Sequence, residues 1–106
     1  MNYLTIQEIS DRELIPGFHF KLFHSENMTF SFIRIEKGAE LPEHHHQNEQ
    51  VTIMQKGKLE LTLEGKTYIL EPGSILHIPS NAIHSGVALT DCEALDVFHP
   101  VREDYR

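Results

Sequence analysis

The chain has no tryptophan, one cysteine, and only 9 Lys and Arg against 16 Asp and Glu, for a formal charge of −7. Each shortage excludes something. A duplex binder needs a basic face to neutralise phosphates, and no Lys/Arg cluster supplies one, so nucleic acid is not an expected partner. An anionic small molecule fits only where a local positive centre overrides the global field. With Cys92 alone there is no intrachain disulfide, which suits a reducing compartment. Asp91 and Glu93 flank Cys92 and disfavour its thiolate, so it reads as a packing residue rather than a nucleophile. No apolar run approaches the ~20 residues of a membrane span. The opening MNYLTIQEIS has neither the basic stretch nor the apolar run of a secretory leader, and a cytoplasmic location is expected.

What is present is ordinary for a folded domain. Of the 106 residues, 40% are hydrophobic and 24% charged, enough for one modest core and a single domain over 1–106. There is no internal repeat, low-complexity tract or linker. The dominant period is two. Lys58-Leu59-Glu60-Leu61-Thr62-Leu63 alternates polar and apolar, and Glu64-Gly65 separates it from Lys66 to Leu70 as a hairpin turn would. Phe18 to Phe23, Met28 to Ile35, Gln50 to Gln55, Ser74 to Ile78, Ile83 to Leu89 and Glu93 to Phe98 are further β-rich runs, with Leu4 to Ile9 as a ninth candidate. Ser10 and Glu13 have capping-box spacing, yet Pro16 leaves room for only a turn of helix. Short strands at about ten-residue spacing predict an all-β antiparallel sandwich or barrel.

The segment Pro42-Glu43-His44-His45-His46-Gln47-Asn48-Glu49-Gln50 carries the chemistry. On a strand, residues two apart share a face, so His44 and His46 point together while His45 points away. Two imidazoles on one face are a natural pair of metal ligands. Gln50 offers a third donor, and His84, just past the turn Pro79 to Ala82, a fourth. Three adjacent histidines in a polar loop could equally be solvated. His19, His24, His77 and His99 read as ordinary surface or rim residues, although His77, between Leu76 and Ile78, could line a cavity.

These residues resemble the cupins, small β-barrel metalloproteins. The first cupin motif, G-x5-H-x-H-x3,4-E-x6-G, is matched by Gly38, His44, His46, Gln50 and Gly57. The second, G-x5-P-x-G-x2-H-x3-N, is matched by Gly73, Pro79 and His84, so the motifs lie within 38–88. Gln50 stands where the family has Glu, Asn81 replaces a Gly, and Ala88 replaces an Asn. Asn81 tolerates the positive φ such a turn requires. The resemblance implies a single-domain antiparallel jelly-roll β-barrel with one divalent ion held by His44, His46, Gln50 and His84. His and Gln suit nickel, zinc, manganese, iron or cobalt. With no Glu ligand the full 2+ charge stays on the ion, which favours polarising an oxygen over supporting a higher oxidation state.

The C-terminal run sharpens this reading. In Leu95-Asp96-Val97-Phe98, Asp96 and Phe98 share a face. An Asp in an apolar strand is costly unless paired or functional. Arg102 follows Pro100, where the chain could fold back over the barrel mouth; an Asp96–Arg102 ion pair is the structural alternative. The ending Asp96-Val97-Phe98-x-Pro-x-Arg102-Glu103-Asp104-Tyr105, with Glu49-Gln50, resembles the pectin-degradation (KdgF-type) cupins. That resemblance implies ketonisation and ring opening of 4,5-unsaturated monouronates. Asp96 would be the proton carrier, Arg102 the carboxylate clamp and Phe98 the wall beneath the sugar. The expected partner is thus an anionic sugar acid, with a homodimer formed through edge strands. A dioxygenase-type cupin, another sugar or lyase reaction in the same pocket, and a non-catalytic small-molecule-binding module are the alternatives.

Overall fold

A computed structural model describes residues 2–106 and contains ten strands. They are β1 (Arg12–Ile15), β2 (Phe18–His24), β3 (Thr29–Ile35), β4 (Glu40–His44), β5 (Glu49–Lys56), β6 (Leu59–Leu63), β7 (Lys66–Leu70), β8 (Ile75–Ile78), β9 (His84–Ala88) and β10 (Cys92–His99). Single turns of 3-10 helix cover Ile6–Glu8 and Glu103–Tyr105. Every strand pairing is antiparallel, in a six-stranded sheet of order β1-β2-β3-β10-β5-β8 and a four-stranded sheet of order β4-β9-β6-β7. Among the described residues, no helix is long and apolar enough to cross a membrane.

The period-two pattern decides what is inside. Phe18, Phe20, Ile33, Ile35, Met54 and Ala94 of the larger sheet meet Leu59, Leu61, Leu70 and Ala88 of the smaller one in a single core cluster. The all-β antiparallel expectation is met, as two sheets that enclose one core. Turn chemistry sets the hairpins: Glu64 and Gly65 both have positive φ, 47° and 80°, matching the right-handed twist of β6 and β7. Asn81 has φ 63°, so the Gly-to-Asn departure is accommodated by a residue suited to it.

Three expectations are corrected. Leu4 to Ile9 is not a strand: the Lys21 ammonium donates to the carbonyls of Ile6 and Ile9 and holds the segment as a turn on the sheet's outer face. Residues 12–15 form β1 instead of a helical turn, since pairing with β2 satisfies their backbone groups where one helical turn could not. His44 and His46 do not share a strand, because β4 ends at His44 and His46 lies in the following loop.

Candidate functional site

The site lies between the sheets, at the end where β4 leads into β5. His44 closes β4 and His84 opens β9; they are cross-strand partners, with ring centroids 4.1 Å apart. The loop after β4 brings the His46 ring 5.0 Å from that of His84. It is pinned because the Asn81 amide donates to the His46 carbonyl. His45 points away and is exposed.

Each of the three rings is oriented in the same way. Nδ1 of His44 donates to the Pro42 carbonyl, Nδ1 of His46 to that of Asn48, and Nδ1 of His84 to that of Ala82, all at 2.9 Å. That fixes the tautomer with the proton on Nδ1 and leaves each Nε2 lone pair for an electrophile. Potential ligand nitrogens of the three lie within 4.8 Å of one another. Burial holds His84 neutral, its pKa pushed down to about 4, and lowers that of His46 for the same leading reason. Three preoriented imidazoles are the donor set a divalent cation requires, so His44, His46 and His84 could hold one.

Gln50 could supply a fourth donor, and a hydrogen-bond relay orients it. The Thr52 hydroxyl donates to Oδ1 of Asp96 at 2.6 Å, and its oxygen therefore accepts from the Gln50 amide nitrogen at 2.9 Å. With the nitrogen committed to Thr52, the amide oxygen Oε1 faces His46 Nε2 at 3.0 Å. A Glu at 50 would have no proton to give Thr52, whose single hydroxyl proton already serves Asp96. The departure from the cupin motif is thus coupled to Thr52 and Asp96. Thr52 was not picked out from the sequence. The available signal was its place two residues beyond Gln50, a polar position on the inward face of β5.

Asp96 is buried and is not paired to Arg102. Burial pushes its pKa up to about 6, against the opposing pull of the Thr52 and Gln50 hydrogen bonds and the Arg102 charge. Arg102 instead forms a two-point contact with Asp104, Nε to Oδ1 at 3.1 Å and Nη2 to Oδ2 at 2.6 Å, leaving its Nη1 edge for another anion. Its guanidinium lies 3.9 Å from the Tyr105 ring centroid and 4.9 Å from that of Phe98. Phe98 is fully buried and meets the His46 ring edge-on at 5.6 Å. His77 does not line the cavity; it is exposed and pairs with Glu49 at 2.6 Å. The Cys92 thiol is buried and bonded to the Lys58 and Thr90 carbonyls, its pKa raised by burial, as expected of a packing residue.

His44, Gln50, His84, Asp96, Phe98 and Arg102 all line one inner cavity of about 50 Å³. It shares Leu41, His44, Arg102 and Tyr105 with an outer cleft of about 360 Å³, which Leu14, Ile15, Pro42 and Asp104 complete. The arrangement offers a seat for a cation, a buried carboxyl able to exchange a proton near neutral pH, and a cation for a carboxylate, all within one pocket.

Comparison with known proteins agrees with this geometry. Over 106 residues the chain is 28% identical to the pectin degradation protein KdgF of Dickeya dadantii (strain 3937), covering 97% of this chain and 96% of that protein. The solved structure of KdgF from Halomonas sp. superposes with a TM-score of 0.92 at 27% identity, over 100% of this chain and 99% of that one. An RmlC-like cupin from Shewanella frigidimarina NCIMB 400 shares the fold, with a TM-score of 0.94 at 22% identity over 100% and 96% of the two chains. The cupin domain model, Cupin_2, matches residues 31–98, from β3 to β10, and the chain belongs to the cupin domain family.

Proposed function

We infer that this cupin holds one divalent cation on His44, His46, Gln50 and His84 and ketonises a 4,5-unsaturated monouronate from pectin or alginate breakdown. The observation that carries this reading is a single cavity lined by His44, Gln50 and His84 on one side and by Asp96, Phe98 and Arg102 on the other. Full-length similarity to a protein named for pectin degradation supports the substrate class. The outer cleft falls within the roughly 300–1,000 Å³ of small-molecule sites.

A bound cation with neutral ligands supplies a Lewis acid of undiminished 2+ charge toward a substrate oxygen. The protein's own groups do the rest. The substrate carboxylate meets the Nη1 edge of Arg102, so an acidic protein takes an acidic sugar through one ordered cation. Phe98 gives the ring a flat apolar wall. The reaction is an isomerisation that needs no oxidant or reductant. The ring bond between O5 and C1 of the hemiacetal opens, C1 becomes an aldehyde, and C5 is left as an enol. C4 then gains a proton while the enol hydroxyl loses one, giving the ketone. Asp96 delivers the proton to C4. Thr52 ties down its Oδ1, Oδ2 is the oxygen that carries the proton, and a pKa of about 6 keeps the proton mobile near neutral pH.

The test follows the ultraviolet absorbance of the conjugated double bond in a 4,5-unsaturated uronate, with chelator-treated protein and with protein reloaded with nickel, zinc, manganese, iron or cobalt. Metal-dependent loss of absorbance is expected. Asp96→Asn should bring the rate to the uncatalysed level while metal content stays unchanged. A fully active Asp96→Asn protein, or no acceleration with any of these metals, overturns the reading.

A further inference from the structure

The last rung of the ladder between β5 and β10 joins Glu49 to His99. Beyond it the strands part, and Pro100 has no N–H to donate. The carbonyls of Pro100 and Val101 are paired all the same. Both accept from the side-chain amide of Asn48, at 2.6 and 3.3 Å. Backbone acceptors beside a buried residue such as Val101 need partners, and an amide NH2 carries the two protons this pair takes up. An Asp at 48 would have no proton to give and a Ser one too few. Arg102 follows directly, and its own N–H is taken by the Thr29 hydroxyl. The stretch 100–102, which delivers the guanidinium to the cavity, is thus anchored to the rest of the fold through two side chains, Asn48 and Thr29.

Asn48 also acts in the opposite direction. Its backbone carbonyl accepts from Nδ1 of His46 and so sets the direction of that ring. The loop 45–48 has two further ties, from the Asn81 N–H to the His46 carbonyl and from the Ser80 hydroxyl to the Gln47 carbonyl at 2.6 Å, and both lead to the turn before β9. Among the described residues, Asn48 is the one member of this loop whose side-chain hydrogen bonds reach the segment that carries Arg102.

We propose that Asn48 is a positioning residue that locks the cation seat and the carboxylate clamp into one register, its peptide carbonyl orienting His46 and its side chain fixing the backbone that presents Arg102. This rests on the cation and the uronate of the preceding reading. A uronate that reaches the cation through an oxygen and Arg102 through its carboxylate is held at two anchors, so the spacing of the anchors decides how well it fits. That spacing is not set by the β5–β10 ladder, which ends before either anchor residue is reached in the loop or in the C-terminal stretch. It is set by the one residue bonded to both, and a displacement of about 1 Å at such a point is enough to disturb binding and alignment together.

The test compares two affinities across three variants of the full chain, with circular dichroism melts to confirm that each is folded. Nickel affinity is read without substrate, by competition against a chromophoric chelator. Anion affinity is read by calorimetry at saturating nickel with D-galacturonate, a saturated uronate that has no double bond to react. Asn48→Leu keeps the volume and removes the amide protons; it should weaken nickel binding about tenfold and galacturonate binding about tenfold. Ser80→Ala loosens the histidine loop only on the side of β9 and should weaken nickel alone. Tyr105→Ala removes the ring stacked on Arg102 and should weaken galacturonate alone. An Asn48→Leu protein that loses one affinity and keeps the other, or keeps both, overturns the proposal. So does a Ser80→Ala or Tyr105→Ala protein that loses both, since any loosening would then suffice. A wild type that binds neither nickel nor galacturonate takes the catalytic reading down as well, whereas a wild type that binds both beside an unaltered Asn48→Leu overturns this inference alone.

Discussion

At the scale of single residues, one threonine hydroxyl connects the two halves of the site. Thr52 gives its proton to Asp96 and takes one from Gln50, so it sets which atom of the Gln50 amide faces the histidines. Replacing it by Val keeps the volume and removes the relay. The amide then loses the partner that orients it, and the carboxyl loses one of its two hydrogen bonds in a buried setting, at a cost of about 1–3 kcal/mol. Thr52→Val is expected to weaken metal affinity by about 10–100-fold, as does loss of an orienting partner behind a ligand. Thr52→Ser should recover most of it. Competition against a chromophoric chelator, with no substrate present, is the measurement. Unchanged affinity in the Val variant would show that the amide is oriented by something else.

At the scale of elements, β10 and the C-terminal turn divide the work. β10 is central in its sheet and carries Asp96 and Phe98 inward on rigid backbone. Arg102 sits beyond it, on a segment held by side-chain contacts alone: its backbone N–H donates to Thr29 Oγ1, its guanidinium stacks on Tyr105, and Tyr105 packs against Phe20 and Phe98 with ring centroids 5.6 and 5.8 Å away. Tyr105→Ala should therefore cost about 1–2 kcal/mol in urea unfolding, because the ring is half-buried, and should raise KM for an anionic substrate more than it lowers kcat. Tyr105→Phe, which keeps the stack, should restore KM; a Phe variant as impaired as the Ala variant would refute the stacking role. The inward facing of Asp96 and Phe98 was legible in the sequence because a strand's period fixes it, and the convergence of His84 with His44 was legible from motif spacing. The partner of Arg102 was not. Asp96 was the alternative partner offered by the sequence, whereas the turn at Glu103–Tyr105 folds the Asp104 carboxylate onto the guanidinium edge. The N-terminal turn was hidden for a related reason: Leu4 to Ile9 has a strand's pattern, and the ammonium of Lys21, distant in sequence, captures the carbonyls of Ile6 and Ile9.

At the scale of the whole molecule, the buried titratable groups give the metal-free protein a stability that depends on pH with two opposed contributions. His84 is neutral in the fold, its pKa lowered from 6.5 to about 4. Its contribution is fully present above pH 6.5 and is lost as pH falls through about 4, because the unfolded chain takes up the proton first. His46, lowered for the same leading cause, acts in the same direction. Asp96 is raised from 3.8 to about 6, so its contribution is present below about 3.8 and disappears as pH rises through about 6. Between about pH 6 and 4 the two kinds of group pull against each other, and acidification destabilises the wild type less than its histidines alone would. Removing the carboxyl removes the compensation. In urea melts of metal-free protein at stepped pH from 7.5 to 4, Asp96→Asn should be more stable than wild type at the upper end and lose stability more steeply toward the lower. His84→Asn should flatten the acid side. Metal binding reverses the weighting, since a cation competes with protons for the imidazoles and adds stability only where they are neutral. Metal-loaded protein should therefore show its largest gain over metal-free protein above pH 6.5, shrinking as the pH approaches 4. An equal gain at both ends would mean that the cation sits on groups other than His46 and His84.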